Sequence, residues 1–225
     1  MLIYCVLLLA SLRDLKREAQ ELLRLNPKSE EAGELLQEAA NQNPEDAETQ
    51  YLLGQWALVK GRFQLAVKAE TKAARLSPAN GLAQMQAWTI VAVANDQMNE
   101  SLSAGAAFRR AWALNRLLPK FDANAAYEYI KVLERDHHED EAAPLAAELL
   151  RRNPEYGPAH LSRAKFLFNR KEYPAACREA ELALASTKNY PDVERDAHYL
   201  AARAYLRIGK PDLAEAHSRW MHEHP

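Results

Sequence analysis

Six alanines set the period of this chain. Ala32, Ala66, Ala104, Ala142, Ala176 and Ala214 follow one another at intervals of 34, 38, 38, 34 and 38 residues. Seven residues after each stands Ala39, Ala73, Ala111, Leu149, Ala183 or Met221. Seven residues is nearly two helical turns, so the two positions of each pair share one helix face. Small side chains there let two helix backbones approach closely. A second signal runs in step. Asn or Ser precedes Pro at Asn26-Pro27, Asn43-Pro44, Ser77-Pro78 and Asn153-Pro154. Proline lacks an N–H and pushes the residue before it out of the helical region, so these dipeptides end helices and open turns. Pro44 and Pro78 lie 34 residues apart, and Pro78 and Pro154 lie 76 apart, twice 38. A helix pair with its two turns has this length.

Composition favours the same reading. Ala and Leu carry most of the apolar content, aromatics are only 8% and only seven glycines occur, which suits helices over strands. The frame places six helix pairs, starting near Arg13, Ala47, Met85, Ala123, Gly157 and Arg195. They form one repeat domain over residues 13–225. The second, residues 47–80, is the clearest: Leu53-Gly54, a tight turn at Gly61, then Ala66, Ala73 and Pro78. The first is a helix over 15–25, a turn over 26–29 and a helix over 30–42. Gly33 inside that second helix costs about 1 kcal/mol relative to Ala. The longer spacings put four extra residues at the junctions near 80–84, 117–122 and 187–194. No helix of such a pair buries its apolar stripe alone, so neighbouring pairs must stack.

The pattern resembles the tetratricopeptide repeat, in which an aromatic and Leu-Gly precede Ala-x3-Phe-x2-Ala and a closing Pro. Leu53, Gly54, Gly61, Ala66, Ala73 and Pro78 match it. Gln50, Ala57 and Glu70 depart from it, standing where aromatics are usual, whereas Trp88, Phe108, Tyr173 and Tyr205 fill aromatic positions in other repeats. The resemblance runs from Arg13 to the end. It implies an all-α, right-handed superhelical solenoid of antiparallel helix pairs, with the first helices lining a concave face. It also implies that the second, fifth, ninth and twelfth positions of each repeat face inward. The fifth positions hold Tyr51, Thr89, Tyr127, Leu161 and Tyr199. The ninth hold Gln55, Val93, Lys131, Lys165 and Arg203, and the twelfth include Phe168 and Leu206.

Such a groove has an aromatic row beside a row that turns basic toward the C-terminus. Tyr supplies rigid contact area with a polar tip, and Lys or Arg beside it meets carboxylates or carbonyls. The expected function is a protein-interaction scaffold holding a peptide or protein segment of acidic character. The expected contact residues are Tyr51, Gln55, Tyr127, Lys131, Lys165, Phe168, Tyr199 and Arg203. The plainer alternative is that these are ordinary solvated or packing residues. A Lys/Asn/Arg clamp for acidic chaperone tails, known in the family, is disfavoured: starting from Ala47, its positions hold Tyr51, Gln55, Ile90, Asn124 and Glu128.

Catalysis finds no support. There is no Gly-rich phosphate loop, no Gly-x-Ser-x-Gly and no His-Glu-x-x-His. His137 and His138 are adjacent on a turn, where they share no helix face, and no further metal ligand is placed with them. His217, His222 and His224 crowd the C-terminal end, where a cation suits a helix dipole better than a chelate suits the spacing. Cys5 and Cys177 are too far apart in sequence for a disulfide framework or paired-thiol metal spacing, and Cys177 reads as a small apolar residue. Neither a cofactor nor a metal is expected. A net charge of −2 gives no pull toward nucleic acid, so an RNA-binding helical repeat is the lesser alternative.

Residues 1–12 are almost wholly apolar, yet a full span needs roughly 20 residues. They read as an extra helix packed on the first repeat, or as the remnant of an anchor or signal. The cytoplasm is the favoured compartment. Membrane anchoring or export through that segment is the alternative, in which the chain would be a regulatory or assembly subunit of a larger complex. Both ends of the repeat run lack a polar capping helix. Either a partner covers them, a second copy stacking into a homodimer among the candidates, or the chain is a piece of a longer protein.

Overall fold

The computed structural model describes residues 2–79, 81–186 and 188–224, with side chains from residue 12 onward. Among them are twelve α-helices, one short 3-10 turn (Pro191–Val193) and no strand. The helices are α1 (Leu2–Leu25), α2 (Glu30–Gln42), α3 (Ala47–Val59), α4 (Phe63–Leu76), α5 (Leu82–Gln97) and α6 (Ser101–Leu117), followed by α7 (Ala123–Arg135), α8 (Glu139–Arg152), α9 (Gly157–Asn169), α10 (Tyr173–Ala185), α11 (Glu194–Arg207) and α12 (Pro211–Glu223). They group into two compact units, Met1–Phe121 and Asp122–Pro225. Within each unit every helix packs on the next one in sequence. First helices also meet one another, α3 with α5 and α9 with α11.

The alanine register is the core. Ala32, Ala66, Ala104, Ala142, Ala176 and Ala214 are all buried, as are Ala39, Ala73, Ala111, Leu149 and Ala183 seven residues on, while Met221 is half-buried. Each helix pair from the second to the sixth turns in the same way. Gly61, Asn99, His137, Lys171 and Gly209 sit in the left-handed region with φ of 73°, 60°, 61°, 63° and 71°. They are spaced 38, 38, 34 and 38 residues apart. In each turn the N–H following that residue reaches back five residues, as from Arg62 to the Ala57 carbonyl at 2.8 Å and from His138 to the Leu133 carbonyl at 2.7 Å. This closes the first helix with the bond pattern of a left-handed C-cap. Side-chain caps begin three of the helices: Ser29 accepts from Ala32, Asp46 from Thr49 and Asp122 from Ala125.

Three expectations need correction. The first helix does not start at residue 15 but runs unbroken from Leu2, because no Gly or Pro separates the apolar segment from the first repeat. How the side chains of residues 2–11 pack lies outside the described residues. The third pair takes up most of its extra residues within its helices, α5 beginning at Leu82 and α6 running to Leu117, and not only at the junctions. The last helix, which the sequence places over 212–223, begins one residue earlier, at Pro211, where the missing N–H costs nothing in a first turn. Among the described residues no helix is long and apolar enough to cross a membrane.

Gly33 has a packing reason. A Cβ added there would lie 2.0 Å from Cζ2 of Trp56. The indole therefore seats directly on the α2 backbone, and its Nε1 donates to the Ser29 carbonyl at 2.7 Å. Glu70 is the outlier of the first unit. It is fully buried, and neither carboxyl oxygen has a hydrogen-bond partner. Loss of water around it pushes its carboxyl up to about 9, so the buried group is protonated at neutral pH. Gly54 makes room for it, since a Cβ at 54 would fall 2.4 Å from the Glu70 Cγ. In the second unit, Trp220 of α12 stacks between two imidazoles, His198 at 4.0 Å and His224 at 4.5 Å between centroids. The Nδ1 atoms of His198 and His217 are 2.8 Å apart. Cys177 is buried between Ala176 and Ala204, and burial pushes its thiol up, as befits a packing residue.

Candidate functional site

The repeat frame puts residue 24 of each helix pair, the first Phe of the second-helix motif, at Leu36, Glu70, Phe108, Ala146, Ala180 and Ser218. Phe108 is fully buried and fills its place in α6. Thirty-eight residues on, Ala146 offers one methyl group where Phe108 offers a ring. A cavity of about 690 Å³ opens beside it, in the second unit. Ala142, Ala143 and Ala146 of α8 form one wall, and Phe166 and Leu167 of α9 face them. The same junction in the first unit is closed, because Trp56 sits on Gly33. Here the counterparts, by the same register, are Phe166 and Ala143, a smaller ring opposite a residue that has a Cβ.

The border of the cavity is polar and aromatic. Lys165 and Phe168 come from α9, Tyr199 and Arg203 from α11, and Glu134 from the end of α7. The Arg203 guanidinium lies 4.7 Å from the Phe168 ring centroid and 5.2 Å from that of Tyr199, a cation held against two aromatic faces. Other cations on the border are paired: Lys165 with Asp196 at 3.0 Å, Arg163 with Glu179 at 3.2 Å and Arg170 with Glu172 at 3.2 Å. Among the described residues, Arg203 is in ion-pair contact with no carboxylate. Glu134 is half-buried, and desolvation raises its pKa; a hydrogen bond from Ser162 and the charge of Lys165 oppose that rise without cancelling it.

Beneath the border, His160 is buried and bonded at both ring nitrogens, Nδ1 to Glu179 at 2.8 Å and Nε2 to the Pro154 carbonyl at 2.7 Å. Two acceptors require two donors, so the ring is held as imidazolium. Burial works against the charge, but the bonds to Glu179 and Pro154 outweigh it and the pKa is raised. Glu179 thereby joins His160 to Arg163 and braces α9 against α10 from below the cavity.

Residues 16–81 and 131–194, together more than half of the chain, match the family model for the tetratricopeptide repeat. The chain belongs to the tetratricopeptide-repeat family. The twelve helices make the six tetratricopeptide pairs of the frame, an all-α solenoid. No curated protein matches the chain. Solved structures similar to it include that of PilF from Pseudomonas aeruginosa, at 16% identity over 95% of this chain and 91% of that one, with a TM-score of 0.74. The MamA protein is similar at 20% identity over 82% and 96%, with a TM-score of 0.65. YrrB, a tetratricopeptide-repeat protein with an unusual peptide-binding site, is similar at 16% over 81% and 88%, with a TM-score of 0.61. At these identities the likeness concerns the fold.

On this tetratricopeptide frame the eight expected contact residues separate. Lys165, Phe168, Tyr199 and Arg203 border one cavity. Tyr127 and Lys131 lie on α7 outside it: Lys131 pairs with Glu128 at 2.8 Å and its Nζ is 5.8 Å from the Tyr127 ring, whose edge meets Tyr156. Tyr51 and Gln55 belong to the first unit. Tyr51 is half-buried against Ala73, Ala74, Ala87 and Trp88, and its hydroxyl donates to Gln86 at 3.3 Å. Glu134, Ser162 and the alanine wall are cavity residues that the sequence did not single out. The alanine at position 146, against Phe108 and Leu36, is the signal that was available.

Proposed function

We propose that this protein is a non-catalytic scaffold that holds an acidic segment of a partner protein against the first-helix face of its second unit. Tetratricopeptide-repeat proteins are protein-interaction scaffolds, and the second unit supplies a specific place for one. The observation that carries the reading is the convergence of Lys165, Phe168, Tyr199 and Arg203 on a single cavity. A volume of about 690 Å³ falls within the roughly 300–1,000 Å³ of ligand sites. The aromatic residues supply area with little conformational freedom to lose, and Arg203 supplies a guanidinium fork suited to a carboxylate. Tyr127 and Lys131 extend the same chemistry along α7, and Tyr51 and Gln55 are candidates for a separate contact on the first unit.

The test is charge reversal. Peptides selected on the wild-type protein from a random displayed library are synthesised and titrated against the variant carrying Lys131→Glu, Lys165→Glu and Arg203→Glu. Loss of three favourable charges at a partner-binding face should weaken binding at least tenfold, about 1.4 kcal/mol. Unchanged affinity for every selected peptide would remove the proposal.

A further inference from the structure

The alanine-walled cavity is built to take a side chain and not only to lie beneath a peptide. Its wall residues Ala142 and Ala146 are buried and small, and Ala143 is half-buried and faces the opening. Opposite them are Phe166 and Leu167; Ala147 continues the alanine wall, and the polar lining residue of α8 is Glu139 at the helix start, whose carboxylate accepts from Asn169 at 3.0 Å. A protein interior ordinarily fills such a space, and the first unit does so with Trp56 on Gly33 and with Phe108. At the border stands Arg203, the cation whose partners are two rings and no carboxylate.

We propose that this cavity is a two-part recognition pocket for a protein segment carrying a bulky apolar side chain next to an acidic one. The apolar side chain enters between α8 and α9 and supplies the ring that the fourth helix pair lacks at Ala146. The acidic residue meets the Arg203 guanidinium, whose remaining N–H donors are free of ion pairing. Stacking on Phe168 and Tyr199 holds the guanidinium in place, so little freedom is lost when the carboxylate arrives. Charge complementarity at Arg203 selects this occupant: the other basic side chains of the border are paired with Asp196, Glu179 and Glu172. Of the two further carboxyl groups there, Glu139 accepts from Asn169 at 3.0 Å and Glu134 is half-buried with its pKa raised by desolvation, so Arg203 is the cation placed to receive a carboxylate. The inference rests on the reading of the second unit as a binding face.

The probe is the capped dipeptide acetyl-phenylalanyl-glutamyl amide, compared with its glutaminyl and alanyl-glutamyl analogues, titrated into the full chain and followed by amide NMR shifts. Saturable shifts at Ala143, Phe166 and Arg203 are expected with the first compound. The glutaminyl analogue should bind at least fivefold more weakly, and the alanyl analogue should show no saturation. Ala143→Leu, which projects into the opening, should abolish the saturable response, and Arg203→Gln should erase the preference for glutamyl over glutaminyl. Ala146→Phe is the second plugging variant, and the wild-type comparison of the three compounds needs no variant at all. Absence of saturable shifts along α8 and α9, equal binding of the glutamyl and glutaminyl compounds, or full binding by a folded Ala143→Leu protein each overturns the pocket. A library-selected peptide that loses affinity for the charge-reversed variant but binds Ala143→Leu like wild type would leave the binding face standing and the pocket refuted.

Discussion

Replacing Glu70 should change how stability depends on pH more than any other single substitution in the first unit. The carboxyl is fully buried, has no hydrogen-bond partner and is pushed from 4.5 up to about 9 by loss of water. The folded state therefore holds a proton that the unfolded chain releases above its ordinary carboxylate range. More protons bound in the folded state means that stability falls as pH rises. Glu70's contribution is fully present below about 4.5, declines through neutrality and is exhausted once pH passes about 9. One proton gives a slope of about 1.4 kcal/mol per pH unit, which amounts to roughly 3 kcal/mol by pH 7 and roughly 6 across the window. Glu70→Gln keeps the shape and removes the titration. Glu70→Leu installs the residue that the first helix pair carries at Leu36, and also removes the unpaired polar atoms. Urea unfolding at pH 5, 6, 7 and 8, followed by circular dichroism, measures each variant against wild type. Both should gain on wild type steadily as pH rises, with Glu70→Leu more stable than Glu70→Gln throughout. A stability difference between wild type and Glu70→Gln that stays constant from pH 5 to pH 8 would refute the reasoning, because it would mean that the buried carboxyl does not titrate differently on unfolding.

Two further outcomes follow from packing and charge. Gly33→Ala places a Cβ 2.0 Å from the Trp56 ring; overpacking of about 1–3 kcal/mol exceeds the helix-propensity gain of about 1, so thermal unfolding should show a net loss. In a Trp56→Phe background the same substitution should cost far less, since Ala143 and Phe166 are the natural version of that pair, and a double-mutant cycle reads the difference. His160→Gln should remove a pH dependence of the same sign that begins at higher pH. The raised histidine pKa gives stability that is complete below about 6.5 and is lost as pH climbs through the folded value, so wild type should exceed the variant at pH 5.5 and lose that advantage in alkaline buffer.

The period, the helix pairs and the buried face were legible because they depend only on spacing. Six alanines in register leave one way to stack helices, and the turn residues Gly61 and Gly209 repeat that register. Lys165, Phe168, Tyr199 and Arg203 were picked out not by spacing but by the resemblance to the tetratricopeptide repeat, as fifth, ninth and twelfth positions of successive pairs. The cavity they border was not. It arises from a volume mismatch among Ala143, Ala146 and Phe166, and such a mismatch becomes a void only if the backbones hold their distance instead of closing in. Ser162 escaped notice because it lies off the repeated inward positions, whereas Glu134 stands at a twelfth position, in register with Phe168 and Leu206, and was passed over. Glu70 was visible as a departure from the usual aromatic, but spacing carries no information about whether a carboxyl finds a partner. The start of α1 was misplaced because the repeat frame has no term for a helix that precedes its own repeat.

The imidazole–indole–imidazole stack gives the second unit an optical reporter of its own. Trp220 is the only tryptophan in residues 122–225, whereas Trp56, Trp88 and Trp112 all fall in the first unit. Its emission depends on the neighbours at 4.0 and 4.5 Å, and protonated imidazole quenches indole more strongly than the neutral ring does. Burial first, and His217 next, hold the His198 pKa below its ordinary value, so on that side the indole keeps a neutral neighbour into mildly acidic solution. A chain in which Trp56, Trp88 and Trp112 are replaced by phenylalanine would broadcast the docking of its last helix as a single colour.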